Sequence, residues 1–378
     1  MKAYVYTDAS LERYAGRFVW LSINTEDAKN AAFLKRYPIP VLPTLLVIDP
    51  RRDAVALRYV GGATVPQLKS LMAESEKKVR ARAQSTADAR LAKADRLASS
   101  GNQADAAKTY DEALAAAPKS WKSAGRASES LVLALALSDQ DERCAVRAAE
   151  LYPRLKGTTS GANVAAVGVS CAAALDKEHA RRVELMQALE KATEEVFHDP
   201  KIVMSDDDRS SIYLALIEAR DAAGDDLEVV RLKHEWSRFL DDAAARAKTP
   251  QQRTVYDSHR ISAYLELGTP EKAVPMLEQS ERDFPDDYNP PARLALAYKA
   301  MKNYDAALAA SDRALARVSG PRTLAVLSVR TDIFVDKGDP KAAKETIQQA
   351  IDYARSLPEG QRSERRIASL EKRLASME

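Results

Sequence analysis

The stretch 251–357 constrains the fold more than any other, because one spacing recurs in it. Gly268 is followed five residues on by Ala273, then by Leu277, Ser280 and Pro285. Lys302 is followed at the same offset by Ala307, then Ser311 and Ala314. Gly338 is followed by Ala343, Ile347 and Ala350. From 268 to 302 to 338 the steps are 34 and 36 residues. An Ala at one fixed place and a second small residue seven later lets two helices cross closely, where a larger side chain would hold the backbones apart. Gly101, Ala106, Tyr110, Ala113 and Pro118 keep the offsets of the Gly268 set, with a large residue in the middle.

A period near 34 with this layout resembles the tetratricopeptide repeat (TPR), one helix-turn-helix per repeat. The resemblance is specific over 86–118 and 257–357 and rests on periodicity alone in between. There, 120–137 with 142–155, 162–175 with 178–197, and 207–223 with 227–247 read as three further hairpins, the last turning at Gly224-Asp225-Asp226. Asn289 is expected to cap a helix whose first residue is Pro290. The final stretch, 359–378, reads as a charged amphipathic helix with Ile367, Leu370 and Leu374 on its apolar side, suited to closing a repeat array. The count is about seven hairpins plus this cap.

The first eighty residues differ. The apolar run 17–24 has strand character, 25–36 is helix-like, and Thr44–Asp49 reads as a buried strand. A polar turn at 50–53 returns as a strand over 54–60, Gly61-Gly62 ends it, and Thr64 caps a helix. Strand, helix, strand, tight turn, strand, helix, with Leu42-Pro43-Thr44 before the middle strand, resembles the C-terminal two-thirds of a thioredoxin fold. The resemblance implies that Pro43 is the cis proline and that the Leu42 backbone faces substrate. An X-Pro bond adopts cis at little expense, whereas the plain alternative is a trans proline starting a strand.

Thioredoxin chemistry needs a Cys thiolate at a helix N-terminus and a resolving Cys. The two cysteines here, Cys144 and Cys171, lie far outside this region. Residues 1–8 look like the segment that follows Cys-x-x-C in longer relatives, so the module is expected to be truncated. The absent strand would leave a gap about twice the ~4.8 Å strand spacing between 17–24 and 44–49. Met1 is then expected to be an internal methionine, or the gene to have lost its 5′ end; direct pairing of 17–24 with 44–49, or another chain in the slot, are the alternatives.

Other candidate sites are weighed by spacing. Cys144 and Cys171 fall on helices of neighbouring hairpins, either as a disulfide or as two buried thiols; closing that 27-residue loop would stabilise by roughly 3.5 kcal/mol. The acidic runs at 206–208 and 225–226 lack alternating ligand spacing and sit where helix caps belong. Four His and two Cys are scattered without ligand spacing, so neither metal nor cofactor is expected. Trp121 and Trp236 read as core. Lys+Arg is 57 against Asp+Glu 55, with no like-charge block, which favours neither nucleic acid nor a membrane surface. No secretory signal precedes Thr7-Asp8, and the weakly polar run 164–175 is too short to span a bilayer.

The expected fold is mostly α: a TPR-type helix-hairpin solenoid at 86–357, a capping helix at 359–378, and a small truncated thioredoxin-like α/β module at 1–80. A hinge is expected at 83–86, with a continuous helix as the alternative. The expected function is a non-catalytic scaffold whose concave face binds a polypeptide partner. The Lys/Asn clamp by which some TPR co-chaperones hold a C-terminal carboxylate is not recognisable. The alternative is a thiol–disulfide oxidoreductase whose Cys-x-x-C lies upstream, a resemblance that would imply an exported, periplasmic protein. Oligomeric state and partner identity are not legible.

Overall fold

The computed structural model describes residues 1–80 and 85–377, and helices dominate it. In chain order, a short helix α1 (Ala31–Arg36) precedes strands β1 (Thr44–Asp49) and β2 (Ala54–Val60) and helix α2 (Val65–Arg80). Paired helices follow: α3 (Thr86–Ser99) with α4 (Gln103–Ala115), α5 (Ala124–Ala136) with α6 (Asp141–Leu155), and α7 (Thr159–Ala174) with α8 (Arg182–His198). Next come α9 (Asp206–Ala223) and α10 (Asp226–Ala245), then a single turn, α11 (Pro250–Arg253). The last pairs are α12 (Asp257–Glu266) with α13 (Ala273–Asp283), α14 (Asn289–Ala300) with α15 (Tyr304–Leu315), and α16 (Thr323–Lys337) with α17 (Pro340–Ser356). Helix α18 (Glu364–Ala375) closes the chain, starting five residues later than the sequence suggests because Ser363 caps it.

Two compact units emerge: residues 1–15 with 37–236, and residues 16–36 with 237–378. They cut across the domain boundary expected at 80–86, and 16–36 belongs to the second unit. Of the expected hinge, residues 83–84 lie outside the described residues. Ser85 caps α3, its Oγ accepting from the Asp88 N–H at 3.1 Å.

In the first unit, one core runs through α3–α9, centred on Leu91, Tyr110, Leu131, Leu135 and Leu189. First helices of successive pairs touch one another, α5 with α7 and α7 with α9, and β2 lies against α3. The strands form a two-stranded antiparallel sheet in register Thr44↔Val60 to Asp49↔Ala54, with an irregularity at Val47/Ile48. Thr64 and Gln67 cap α2 reciprocally: the Gln67 side chain accepts from the Thr64 N–H at 2.8 Å, and the Gln67 N–H reaches Thr64 Oγ1 at 3.4 Å.

In the second unit, Ile261, Leu277, Leu294 and Ile333 anchor one cluster, and Leu327, Ile347, Ile351 and Ile367 another. The expected strand at 17–24 does not form. The run belongs to no sheet, and Val19 and Leu21 are 88% and 77% exposed. An apolar run becomes a strand only by pairing, and the partner of β1 among the described strands is β2. Residues 25–36 instead lie along the turns that lead into successive first helices. The Gln361 amide donates to the Thr25 carbonyl at 2.8 Å, Lys35 pairs with Glu359 at 2.7 Å, and Arg322 lies 3.4 Å from Glu26. A Cβ at Gly360 would overlap the Ala31 carbonyl, so this approach requires glycine. Asn289 is not a cap but the first residue of α14: Tyr288 holds the cap position, and Asp287 Oδ1 accepts from the Asn289 N–H at 2.9 Å.

Candidate functional site

The repeat signature is a device for turning. Gly101, Gly224, Gly268 and Gly338 all have positive φ, at 87°, 73°, 66° and 80°. After each, the next N–H donates to the carbonyl five residues back: Asn102 to Leu97, Asp225 to Arg220, Thr269 to Tyr264, Asp339 to Phe334, at 2.8–3.0 Å. This is the Schellman closure of a helix C-terminus. Lys302 adopts the same conformation (φ 59°) with Asn303 donating to Tyr298. So does Asp139 (φ 54°), with Gln140 donating to Leu135. Five residues beyond Gly101, Gly268, Lys302 and Gly338, Ala106, Ala273, Ala307 and Ala343 are fully buried, as are Ala113 and Ala314, while Ala350 is 1% exposed. Pro118 and Pro285 are exposed, just past the second helices.

Asp139 makes the turn of the hairpin read at 120–137 with 142–155, where sequence inspection named no turn residue. It puts Cys144 at the position Ala holds after Gly101, Gly268, Lys302 and Gly338, and Leu151 where the second small residue would be. The positive-φ aspartate would have been found by testing polar residues, and not only glycine, five positions before a buried small side chain. Cys144 (α6) and Cys171 (α7) are joined, with Cα atoms 6.0 Å apart. The Leu42–Pro43 peptide is cis; Leu42 is half exposed, and Thr44 Oγ1 donates to the Val41 carbonyl at 2.7 Å. These residues lie in the first unit apart from one another: the structure does not gather the proline motif and the cysteines into one site.

A buried charged cluster holds the β-hairpin and α2 on the first helices. Arg126 (α5) donates through Nη1 to Asp95 (α3) at 3.0 Å and to the Arg58 carbonyl (β2) at 3.0 Å, and through Nη2 to Glu74 (α2) at 2.8 Å. Lys78 approaches the same Glu74 oxygen at 2.8 Å, and the Tyr110 hydroxyl donates to Asp95 at 2.8 Å. Burial opposes the Glu74 charge, but Arg126 and Lys78 outweigh it and hold the carboxyl down at about 2. Burial likewise pulls the Arg126 guanidinium down, and Asp95 and Glu74 push it up by more. Asp95 is 0% exposed, and Arg126 and Tyr110 both donate to it. With Tyr110 on α4, this cluster joins five elements.

Further along the same helices the face is open. A cavity of about 400 Å³ lies between the C-terminal part of α5, the start of α6, α7 and α9. Ala166, Val167, Leu214 and Ala215 supply apolar lining, and Leu214 is 43% exposed. Asp141 and Glu218 stand in the same lining, with Ser170 Oγ donating to Glu218 at 2.8 Å. On α9 the spacing 207, 211, 214, 218 puts Asp207, Ser211, Leu214 and Glu218 on one side. The acidic runs thus act locally: Ser205 and Asp208 form a capping box at the start of α9. Trp236 is buried with its Nε1–H on Ser210, and Trp121 donates to Asp88 at 2.9 Å, so both serve the core.

In the second unit, the corresponding side chains pair with one another. Lys299 (α14) meets Asp336 (α16) at 2.9 Å, and Arg373 (α18) pairs with Asp332 (α16). Among the described residues, no group of His, Cys, Asp and Glu is placed to hold a metal, and no helix is long and apolar enough to cross a membrane.

No protein-family model matches the chain, and no curated protein sequence does. Solved structures resemble it at low identity. A tetratricopeptide repeat protein from Parabacteroides merdae is 11% identical, with a TM-score of 0.48 over 76% of this chain and 98% of that one. The TPR2AB domain of yeast Sti1 in complex with pHSP90 is 13% identical, with a TM-score of 0.28 over 77% of this chain and 99% of that one.

Proposed function

We propose that the chain is a non-catalytic scaffold of the TPR type that binds a polypeptide partner through its first helices, the concave side of such arrays. The observation that carries this is the solvent-open, mainly apolar groove on α5, α7 and α9. The turn-and-small-residue register at Gly101, Gly268, Lys302 and Gly338 supports the repeat type. Panning the full chain against an immobilised library of dodecapeptides tests it. A reproducible subset that also binds in solution is expected; a library with no binder overturns it.

We further infer that residues 41–80 are a degenerate thioredoxin-like module serving a structural role. The order β1, turn, β2, α2 behind Leu42-Pro43-Thr44 favours this, while 17–24 takes no part in it. The enzymatic alternative needs a Cys-x-x-C upstream of Met1, to be sought in the in-frame upstream nucleotides. An insulin-reduction assay on this chain discriminates, since dithiol turnover would refute the scaffold reading. A Cys144–Cys171 disulfide favours an oxidising compartment. Two free thiols on titration of freshly exported, denatured, unreduced protein would refute that.

A further inference from the structure

The groove on α5, α7 and α9 has a chemical bias that narrows its partner. Its floor is aliphatic: Ala166 and Val167 from α7, Leu214 and Ala215 from α9. Its charged lining is Asp141 and Glu218, with no lysine, arginine or histidine in the lining. Asp207 stands on the same side of α9, about three turns before Glu218. At about 400 Å³ the cavity lies in the range that specific ligand groups fill. The neighbouring part of the same face already holds an extended segment of this chain, β2 against α3, and a Cβ at Gly62 would lie 3.8 Å from the hydroxyl of Ser205, the residue that caps α9.

We propose that the groove binds a segment of a partner polypeptide in which an aliphatic side chain stands beside a lysine or arginine. The aliphatic group would seat over Val167 and Leu214, removing both from water. The cation would sit against Glu218 and Asp141, where a carboxylate-bearing segment would meet like charge. Ser170 orients Glu218 for this by donating to one of its carboxylate oxygens. The proposal rests on the scaffold reading above and goes beyond it by fixing the chemistry of the bound segment.

The test is fluorescence anisotropy with the full chain and two labelled dodecapeptides, one repeating Leu-Ala-Lys-Gly and the other Leu-Ala-Glu-Gly. The lysine peptide is expected to bind at least tenfold more tightly, and more weakly as salt rises. Glu218→Gln, a conservative change, and Leu214→Asp, at a half-exposed position, should each weaken it at least fivefold, with unchanged melting as the control for folding. Equal binding of the two peptides, or lysine-peptide binding indifferent to both variants, overturns the proposal. If library peptides bind while this pair shows no such preference, the scaffold stands and the groove assignment falls. If no library peptide binds either, the scaffold reading itself has failed.

Discussion

The hairpins α12–α17 and the hairpins α3–α9 solve the same packing problem with different side chains. In the former, Ala273, Ala307 and Ala343 set the helix crossings, and ion pairs such as Lys299–Asp336 link neighbouring first helices. In the latter, a Cys stands at one crossing, a buried Arg126–Asp95–Glu74 cluster ties the helices to a β-hairpin, and a groove is left open. The repeat register dictates where helices turn and cross. It leaves the face they present free to vary, and that is where the two regions diverge.

Removing Arg126 should separate the regions most. Arg126→Ala leaves Asp95 buried without its counter-charge and should lose about 3–5 kcal/mol in urea unfolding. Lys299→Ala breaks a partly exposed pair and should lose under about 1 kcal/mol. Equal losses would show that the buried cluster is no stronger than a surface pair.

The Glu74 carboxyl gives the cluster a pH signature. Held at about 2 in the fold against an ordinary 4.5, it stabilises above 4.5, and that contribution is lost as pH falls toward 2. Wild type should exceed Glu74→Gln by about 2–3 kcal/mol at neutral pH, and the gap should close between pH 4.5 and 2. A gap that persists at pH 2 would mean that the charge is not what Glu74 contributes.

Gly168 in α7 sharpens the contrast in packing. A Cβ there would lie 2.6 Å from the Ala148 Cβ on α6 and 2.7 Å from Leu189 on α8, and Ala148 has no flexible end to move aside. Gly168→Ala should therefore destabilise by about 1–3 kcal/mol, despite the ~1 kcal/mol that helix propensity favours. Stabilisation in thermal melts would show that α6 shifts freely.

The smallest effect tests the turn itself. Lys302 holds a left-handed conformation that strains a side chain by roughly 1–2 kcal/mol. Lys302→Gly should raise stability by about 1 kcal/mol, and Gly338→Ala should lower it by a similar amount. If neither changes the melting temperature, the turns are not what limits these repeats.

Most hairpins were legible because their turns and crossings are local: Gly268 and Ala273 are five residues apart, and both their conformations follow from that spacing. The hairpin turning at Asp139 was read as a hairpin but not in register with the repeats, since Cys144 and Leu151 stand at the positions of the small residues. Residues 17–24 read as a strand because an apolar run looks the same whether or not it finds a partner. The cluster of Arg126, Asp95 and Glu74 comes from three helices far apart in sequence, each residue a common solvated type by itself. The groove was hidden for the opposite reason. Ala166, Val167 and Ala215 look like core in a list, and only the packing of α5, α7 and α9 leaves them lining a cavity.

The docking of residues 25–36 has a consequence for synthesis. Tyr288, Glu359 and Gln361, the partners of these residues, follow 262, 324 and 336 positions later in the chain. At ~5–20 residues per second that is a wait on the order of a quarter of a minute to a minute. Each hairpin can close on its own turn as it emerges, whereas this segment has no complete native seat until Gln361 has been made. Val19 and Leu21, 88% and 77% exposed even in the finished fold, are an apolar stretch within reach of any chaperone that scans nascent chains.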